Sequence, residues 1–137
     1  MSLLLDTNIL SELRKGARAH AGLRGWFETV NPEDIHLSVL VVGELRRGVE
    51  LVRRRDTRQA AALERWLTNV TLDHAERILP VDGPVAEQWG RLVARRASSV
   101  IDTLMAATAL VHGLLLVTRN VKDVAWTGVS YLNPFEA

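Results

Sequence analysis

Cysteine is absent from all 137 residues, which excludes disulfide frameworks and thiolate metal sites together. A chain built without either suits a reducing compartment, so a cytoplasmic location is expected. Long apolar runs are missing as well. The longest, near Ala106 to Val117, is interrupted by Thr108, His112 and Gly113 and falls short of a bilayer span. Leu3 to Leu5 is too brief for the apolar region of a secretory leader, and Asp6 ends it at once. No internal repeat, low-complexity tract or linker divides the sequence. Residues 1–137 are therefore expected to form one domain, large enough to bury a substantial core. His20, His36, His74 and His112 show no metal-ligand spacing, so an imidazole metal site is not expected.

Charge of one sign is also scarce in the balance, at +1 net, which by itself says little about nucleic acid. The distribution says more. Of the 17 basic residues, 15 are arginine, gathered at Arg46, Arg47, Arg53, Arg54, Arg55 and Arg58, with Arg91, Arg95 and Arg96 later. Guanidinium groups favour bidentate phosphate contacts. The alternative is a solvated helix face, and composition leaves both open.

What is present is a regular alternation of short apolar strands and helical periodicities, over an apolar content of 47% that suits a globular chain. Strands are expected at Ser2–Leu5, Ile35–Ser38, Ile78–Val81, Leu114–Thr118 and Val129–Leu132. Helices are expected from Ile9 to about Lys15, capped by Asn8 and stopped by Gly16, and around Ala19–Val30, which Asn31-Pro32 breaks. Others follow at Val39–Arg54, across much of Asp56–Arg77, from about Pro84 to Arg96, and at Val100–His112. The last is almost wholly apolar and should lie deep. Strands alternating with helices predict an α/β domain with a mostly parallel, five-stranded sheet flanked by helices.

In such a sheet, chemistry gathers at the carboxyl ends of the strands. Asp6 follows the first strand directly. Glu44 falls in the opening turns of the helix after the second. Asp123 lies just beyond the fourth, and Asp102 opens the helix that feeds that strand antiparallel to it. All four acids are thus expected at one edge. Each also has a plainer reading: Asp6 as a turn or cap, Glu44 as a surface partner of Arg47, Asp102 as part of a capping box with Ser99, and Asp123 as a loop acid. Asn120 is a candidate to orient or replace Asp123. Glu44 sits with Gly48 and Leu51 at the margin of its helix's buried stripe, where a glutamate needs a reason. Two carboxylates about 4 Å apart repel by roughly 4 kcal/mol at an effective dielectric near 20. Such a cluster either protonates or holds a cation, and oxygen-only donors select a hard ion, Mg²⁺ or Mn²⁺. A hard ion among carboxylates points to phosphodiester hydrolysis.

The motifs resemble those of PIN-domain ribonuclease toxins of the VapC family, in its FitB-like branch. Leu3-Leu4-Leu5-Asp6-Thr7-Asn8-Ile9-Leu10-Ser11-Glu12-Leu13 resembles the opening block. Ser38-Val39 through Gly43-Glu44-Leu45-Arg46-Arg47-Gly48 resembles the second, and Ile101-Asp102-Thr103-Leu104-Met105-Ala106-Ala107-Thr108-Ala109 the third. Leu116-Val117-Thr118-Arg119-Asn120-Val121-Lys122-Asp123 resembles the fourth, and Leu132-Asn133-Pro134-Phe135 the tail. The blocks occur in order and span nearly the whole chain.

The resemblance implies a toxin of a toxin–antitoxin pair that cleaves structured RNA, often transfer or ribosomal RNA. It implies that Asp6, Glu44, Asp102 and Asp123 are the catalytic, metal-binding acids. Asn8, Thr118 and Asn120 would support them. It implies a VapB-type antitoxin whose C-terminal segment occludes the site and whose N-terminal domain contacts operator DNA, and it implies homodimers or toxin–antitoxin hetero-oligomers. Apolar grooves beside Leu10, Leu13, Val49 and Val52 are candidates to receive an antitoxin helix. Two departures stand out. The stretch Arg95-Arg96-Ala97-Ser98-Ser99-Val100-Ile101 is several residues shorter than the family's usual approach to the third acid. Val124 stands where an aromatic commonly follows the last one.

Three other readings carry different expectations. A non-catalytic PIN-like binding module would keep the fold and lose acids. A phosphoacceptor receiver domain would need an acidic pair after the first strand, and Asp6 has no acidic neighbour. A haloacid-dehalogenase-like phosphatase would need a second Asp where Asn8 stands.

Overall fold

A computed structural model describes residues 1–136. Five short strands hydrogen-bond into one sheet in the order β3-β2-β1-β4-β5: β1 (Leu3–Leu5), β2 (Ile35–Ser38), β3 (Ile78–Leu79), β4 (Leu115–Val117) and β5 (Tyr131–Leu132). Every pairing is parallel, with Leu3 opposite both Ile35 and Leu115. The sheet is therefore wholly parallel rather than mostly so. Parallel neighbours need crossovers, and the helices supply them. These are α1 (Thr7–Leu13), α2 (Ala21–Glu28), α3 (Val39–Arg53), α4 (Thr57–Asp73), α5 (Gly83–Arg95), α6 (Val100–His112) and α7 (Val121–Val124).

The central strand explains the lack of alternation in its sequence. Leu3, Leu4 and Leu5 are 6%, 0% and 0% exposed, because helices cover both faces of the sheet. The same core takes in Ile9, Leu37, Val41, Leu92, Met105 and Leu116. Helix α6 is as deep as its composition predicts: Met105, Ala106, Ala107 and Ala109 are all 1% exposed or less. It ends at Gly113, whose φ of 65° places it in the left-handed region, while Leu114 N–H closes on Ala109 C=O at 2.9 Å.

The expected elements are present, with ends shifted by a residue or two in most, as fraying and capping dictate. The first helix differs for a chemical reason. It starts two residues early, at Thr7, because Asp6 rather than Asn8 is its cap: the Asp6 carboxylate accepts the Thr7 N–H at 2.8 Å. Asn8 lies inside the helix and is freed for other bonds. The segment expected to be helical through Arg77 leaves the α-helix at Asp73 and finishes in a 3₁₀ turn, Ala75–Arg77. No helix among the described residues is long and apolar enough to cross a membrane.

Winding reverses at β1. From it the chain builds toward β2 and β3 on one side and places β4 and β5 on the other. Such a switch point opens a crevice at the carboxyl ends of the strands on either side of the reversal. Here those strands are β1 and β4, and they end on Asp6 and Thr118.

Candidate active site

Asp6 continues β1 by one residue, its N–H bonding Val117 C=O at 2.9 Å. That bond turns its side chain into the crevice, where it is only 7% exposed. A buried carboxylate requires partners, and Asp6 has three. Its Oδ1 accepts from Thr7 N. Its Oδ2 accepts from Thr118 Oγ1 at 2.7 Å and from Asn8 Nδ2 at 3.3 Å. Thr118 is itself fully buried and held from both ends, its N–H on Leu132 C=O at 3.0 Å and its hydroxyl receiving Asn120 N–H at 3.0 Å. Asn8 Oδ1 accepts Arg119 N–H at 3.2 Å, tying α1 to the loop after β4. Asn8 and Thr118 thus fix Asp6. Asn120 enters through its backbone: its carbonyl accepts Asp123 N–H at 3.1 Å and so shapes the turn that carries that acid.

Glu44, half-buried at the margin of α3 as its helical phase predicts, accepts the Thr7 hydroxyl at 2.6 Å. One residue therefore joins two acids, since Thr7 gives its N–H to Asp6 and its hydroxyl to Glu44. Sequence reasoning passed over Thr7. The available signal was a hydroxyl directly after the first acid, in the first turn of the helix that faces α3.

Asp102 lies in the first turn of α6, half-buried. Its carboxyl is pushed above the ordinary aspartate value, first by burial, then by the negative charges of Asp6 and Asp123, with Glu44 adding to them. The Ser99 hydroxyl offsets part of this. Asp102 therefore feels all three other acids, which arrive from β1, α3 and α7. The capping-box alternative fails in one respect, because Ser99 makes no side-chain cap bond to the α6 backbone. Asp123 is exposed on α7, with Lys122 beside it and Val124 buried beneath.

Among the described residues no three acids or histidines stand close enough to form a ready-made metal cage. The donors nevertheless suit a small hard cation. They are oxygen only, they repel one another, and Mg²⁺ commonly keeps several waters while resting on one or two carboxylates. Three of the four histidines are engaged elsewhere, and His112 closes the far end of α6 from Asp102. His20 Nδ1 accepts Leu23 N–H as the cap of α2, and the rings of His36 and His74 bond the carbonyls of Asp34 and Val70.

A wholly parallel sheet with carboxylates and hydroxyls at its switch point, and no thiol or free imidazole among them, defines an α/β protein with an oxygen-donor acidic site. Residues 3–122 match the PIN domain family, and the chain belongs to it. Two curated relatives align over almost the full length of both chains. VapC ribonuclease Y4jK of Sinorhizobium fredii is 32% identical, covering 98% of this chain and 98% of its own. Toxin FitB of Neisseria gonorrhoeae is 30% identical, covering 97% and 98%. Among solved structures, FitAcB from Neisseria gonorrhoeae superposes with a TM-score of 0.90 at 30% identity, covering 98% of this chain and 99% of that one.

Proposed function

We propose that the chain is the toxin of a VapBC-type toxin–antitoxin pair, a cytoplasmic single-domain endoribonuclease that hydrolyses phosphodiester bonds in structured RNA, with transfer or ribosomal RNA as target. The observation that carries this reading is the junction at the switch point. Thr7, Asn8 and Thr118 orient Asp6, Thr7 also orients Glu44, and Asp102 stands within the field of both. The relatives' names, VapC ribonuclease and Toxin FitB, support the class of reaction.

Asp6, Glu44, Asp102 and Asp123 are the residues that would hold Mg²⁺, or Mn²⁺ in its place. When bound, the ion would polarise the phosphoryl oxygen and acidify an attacking water. The protein's own contribution is orientation. The Thr118 and Asn8 donors hold the Asp6 carboxylate aimed into the crevice. Thr7 holds Glu44 on the α3 side. Asp102, whose charge is disfavoured by its surroundings, is the acid that gains most from a cation beside it. Exposed Asp123 is the group free to order a water or accept its proton.

The partner in this reading is a VapB-type antitoxin, with operator DNA reached only through it and the toxin itself a homodimer. Full-length similarity to FitAcB supports that partner. A groove of about 200 Å³ between α1, α3 and α4 opens beside Glu44, lined by Arg14, Val49, Val52, Leu63 and Trp66, and suits an amphipathic segment. Leu10 and Leu13, expected to line it, do not, since Leu10 is turned into the core.

The test is induction of the wild-type chain and of Asp102→Asn in bacterial cells, followed by sequencing of RNA ends. Growth arrest with discrete new 5′ ends in transfer or ribosomal RNA is expected for the wild type and neither for the variant. Equal cleavage by both would refute the assignment.

A further inference from the structure

Trp126, in the 3₁₀ turn Ala125–Thr127 after α7, donates its indole N–H to the backbone carbonyl of Asp123 at 3.1 Å. The ring is thereby fixed beside the fourth acid. Two guanidinium groups stack against it. Arg95 lies 5.8 Å and Arg96 5.4 Å from the ring centroid, both exposed. Placing two cations on one indole brings like charges together, at a cost unless an anion lies nearby. Yet neither has a carboxylate within salt-bridge distance or a hydrogen-bond partner among the described residues, Asp123 included.

Helix-end electrostatics explains only one of them. Arg95 is in the last turn of α5, where a cation complements the helix dipole. Arg96 has left the helix, with extended backbone at φ −158° and ψ 121°, and its side chain still returns to the same ring. The short link from Arg96 to Ser99 then leads directly into α6, whose first turn carries Asp102. The pair thus directly precedes the helix that carries Asp102, while Trp126 ties it to the turn that carries Asp123.

We propose that Arg95 and Arg96, backed by Trp126, form a phosphate-binding shelf that grips the RNA backbone beside the scissile bond, on the Asp123 side of the acidic crevice. The proposal rests on the nuclease reading above. Planar guanidiniums suit bidentate phosphate contacts, and an indole behind them limits the freedom they lose on binding. Four acids alone would repel a polyanion, and the shelf supplies local attraction next to them. Arg95 and Arg96 are positioning residues, contacting the strand rather than the reacting atoms.

The experiment measures binding of total transfer RNA in EDTA by the full-length Asp102→Asn chain, with and without Arg95→Gln/Arg96→Gln, across a series of salt concentrations. Losing two phosphate contacts lowers the slope of log affinity against log salt by about 1.4, at roughly 0.7 per contact for single-stranded backbone. Arg95→Lys/Arg96→Lys restores the slope. Trp126→Leu weakens binding while leaving the slope, because the charges remain and only their placement is lost. In the active background, Arg95→Gln/Arg96→Gln raises KM for RNA cleavage and leaves kcat within about threefold. An unchanged slope and KM in that variant, with wild-type cleavage intact, overturns the shelf alone. If the pair's loss abolishes capture of the antitoxin but not RNA binding, the shelf is a protein contact and the proposal is wrong. Absence of both cleavage and RNA affinity in the parent chain overturns the nuclease reading with it.

Discussion

Asp6 has two duties that pull its substitution in different directions. It caps α1 and it is the buried centre of the acidic crevice. Asp6→Ala removes the cap, at about 1 kcal/mol, and strips the buried Thr118 hydroxyl of its acceptor. Asp6→Asn retains a capping oxygen and a similar shape. We expect both variants to eliminate RNA cleavage. Asp6→Asn keeps a capping oxygen but sets an amide N–H₂ against the buried Thr118 and Asn8 donors, so it costs about 1–3 kcal/mol. Asp6→Ala costs more because the cap is lost as well, as urea unfolding beside a cleavage assay will show. Thr118→Val is the complementary test. It leaves Asp6 Oδ2 without its shortest donor in a buried setting, so a loss of about 1–3 kcal/mol is expected together with impaired cleavage. Asp102→Asn should act in the opposite sense on stability. Removing a charge that burial, Asp6, Asp123 and Glu44 all disfavour raises Tm in EDTA while activity is lost. A lower Tm would mean that the acids do not repel in the folded protein.

At the scale of elements, α3 and α4 pack as an antiparallel pair whose outer faces share an ion network. Glu64 accepts from Arg46 and Arg53, and Glu50 accepts from the same two arginines. Two of the arginines that the sequence offered as phosphate binders are thus engaged within the protein. The pairs hold Glu50 and Glu64 below the ordinary carboxylate value of 4.5. A lowered folded-state pKa means the contribution is complete above that value and disappears as pH falls beneath it. The groups are exposed, so the contribution is small and screened by salt. Arg46→Gln/Arg53→Gln is expected to lower Tm slightly at pH 7 and low salt, with the difference shrinking as pH falls below the ordinary carboxylate value of 4.5. The end of α6 is the other element-scale test. Gly113→Ala forces a side chain into a left-handed backbone and should cost about 1 kcal/mol by denaturant unfolding, with open space around the Cβ leaving no second cause.

For the molecule as a whole, a five-stranded, mostly parallel sheet was legible because each strand reads as a short apolar run and each crossover as a periodic helix. That topology is also what led Asp6, Glu44 and Asp102 to be expected at one edge, without any contact being known. What the sequence concealed were bonds that depend on side-chain reach. Asn8 looked like a cap because it precedes the apolar positions of α1. The chain instead placed the cap at Asp6, whose N–H is already committed to Val117 and whose carboxylate is left at the helix entrance. Thr7 linking two acids, and Trp126 collecting two arginines from the end of α5 and the residue after it, arise from packing between segments remote in sequence. No local pattern encodes either.

The whole scheme depends on the four acids acting as one cation site at the switch point. Calorimetric titration of Mn²⁺ into the metal-free chain, run in parallel on Asp102→Asn, tests this most directly. Saturable binding by the wild type that is lost, or weakened by at least tenfold, in Asp102→Asn is the expected result. Equal affinity in the two proteins would contradict it.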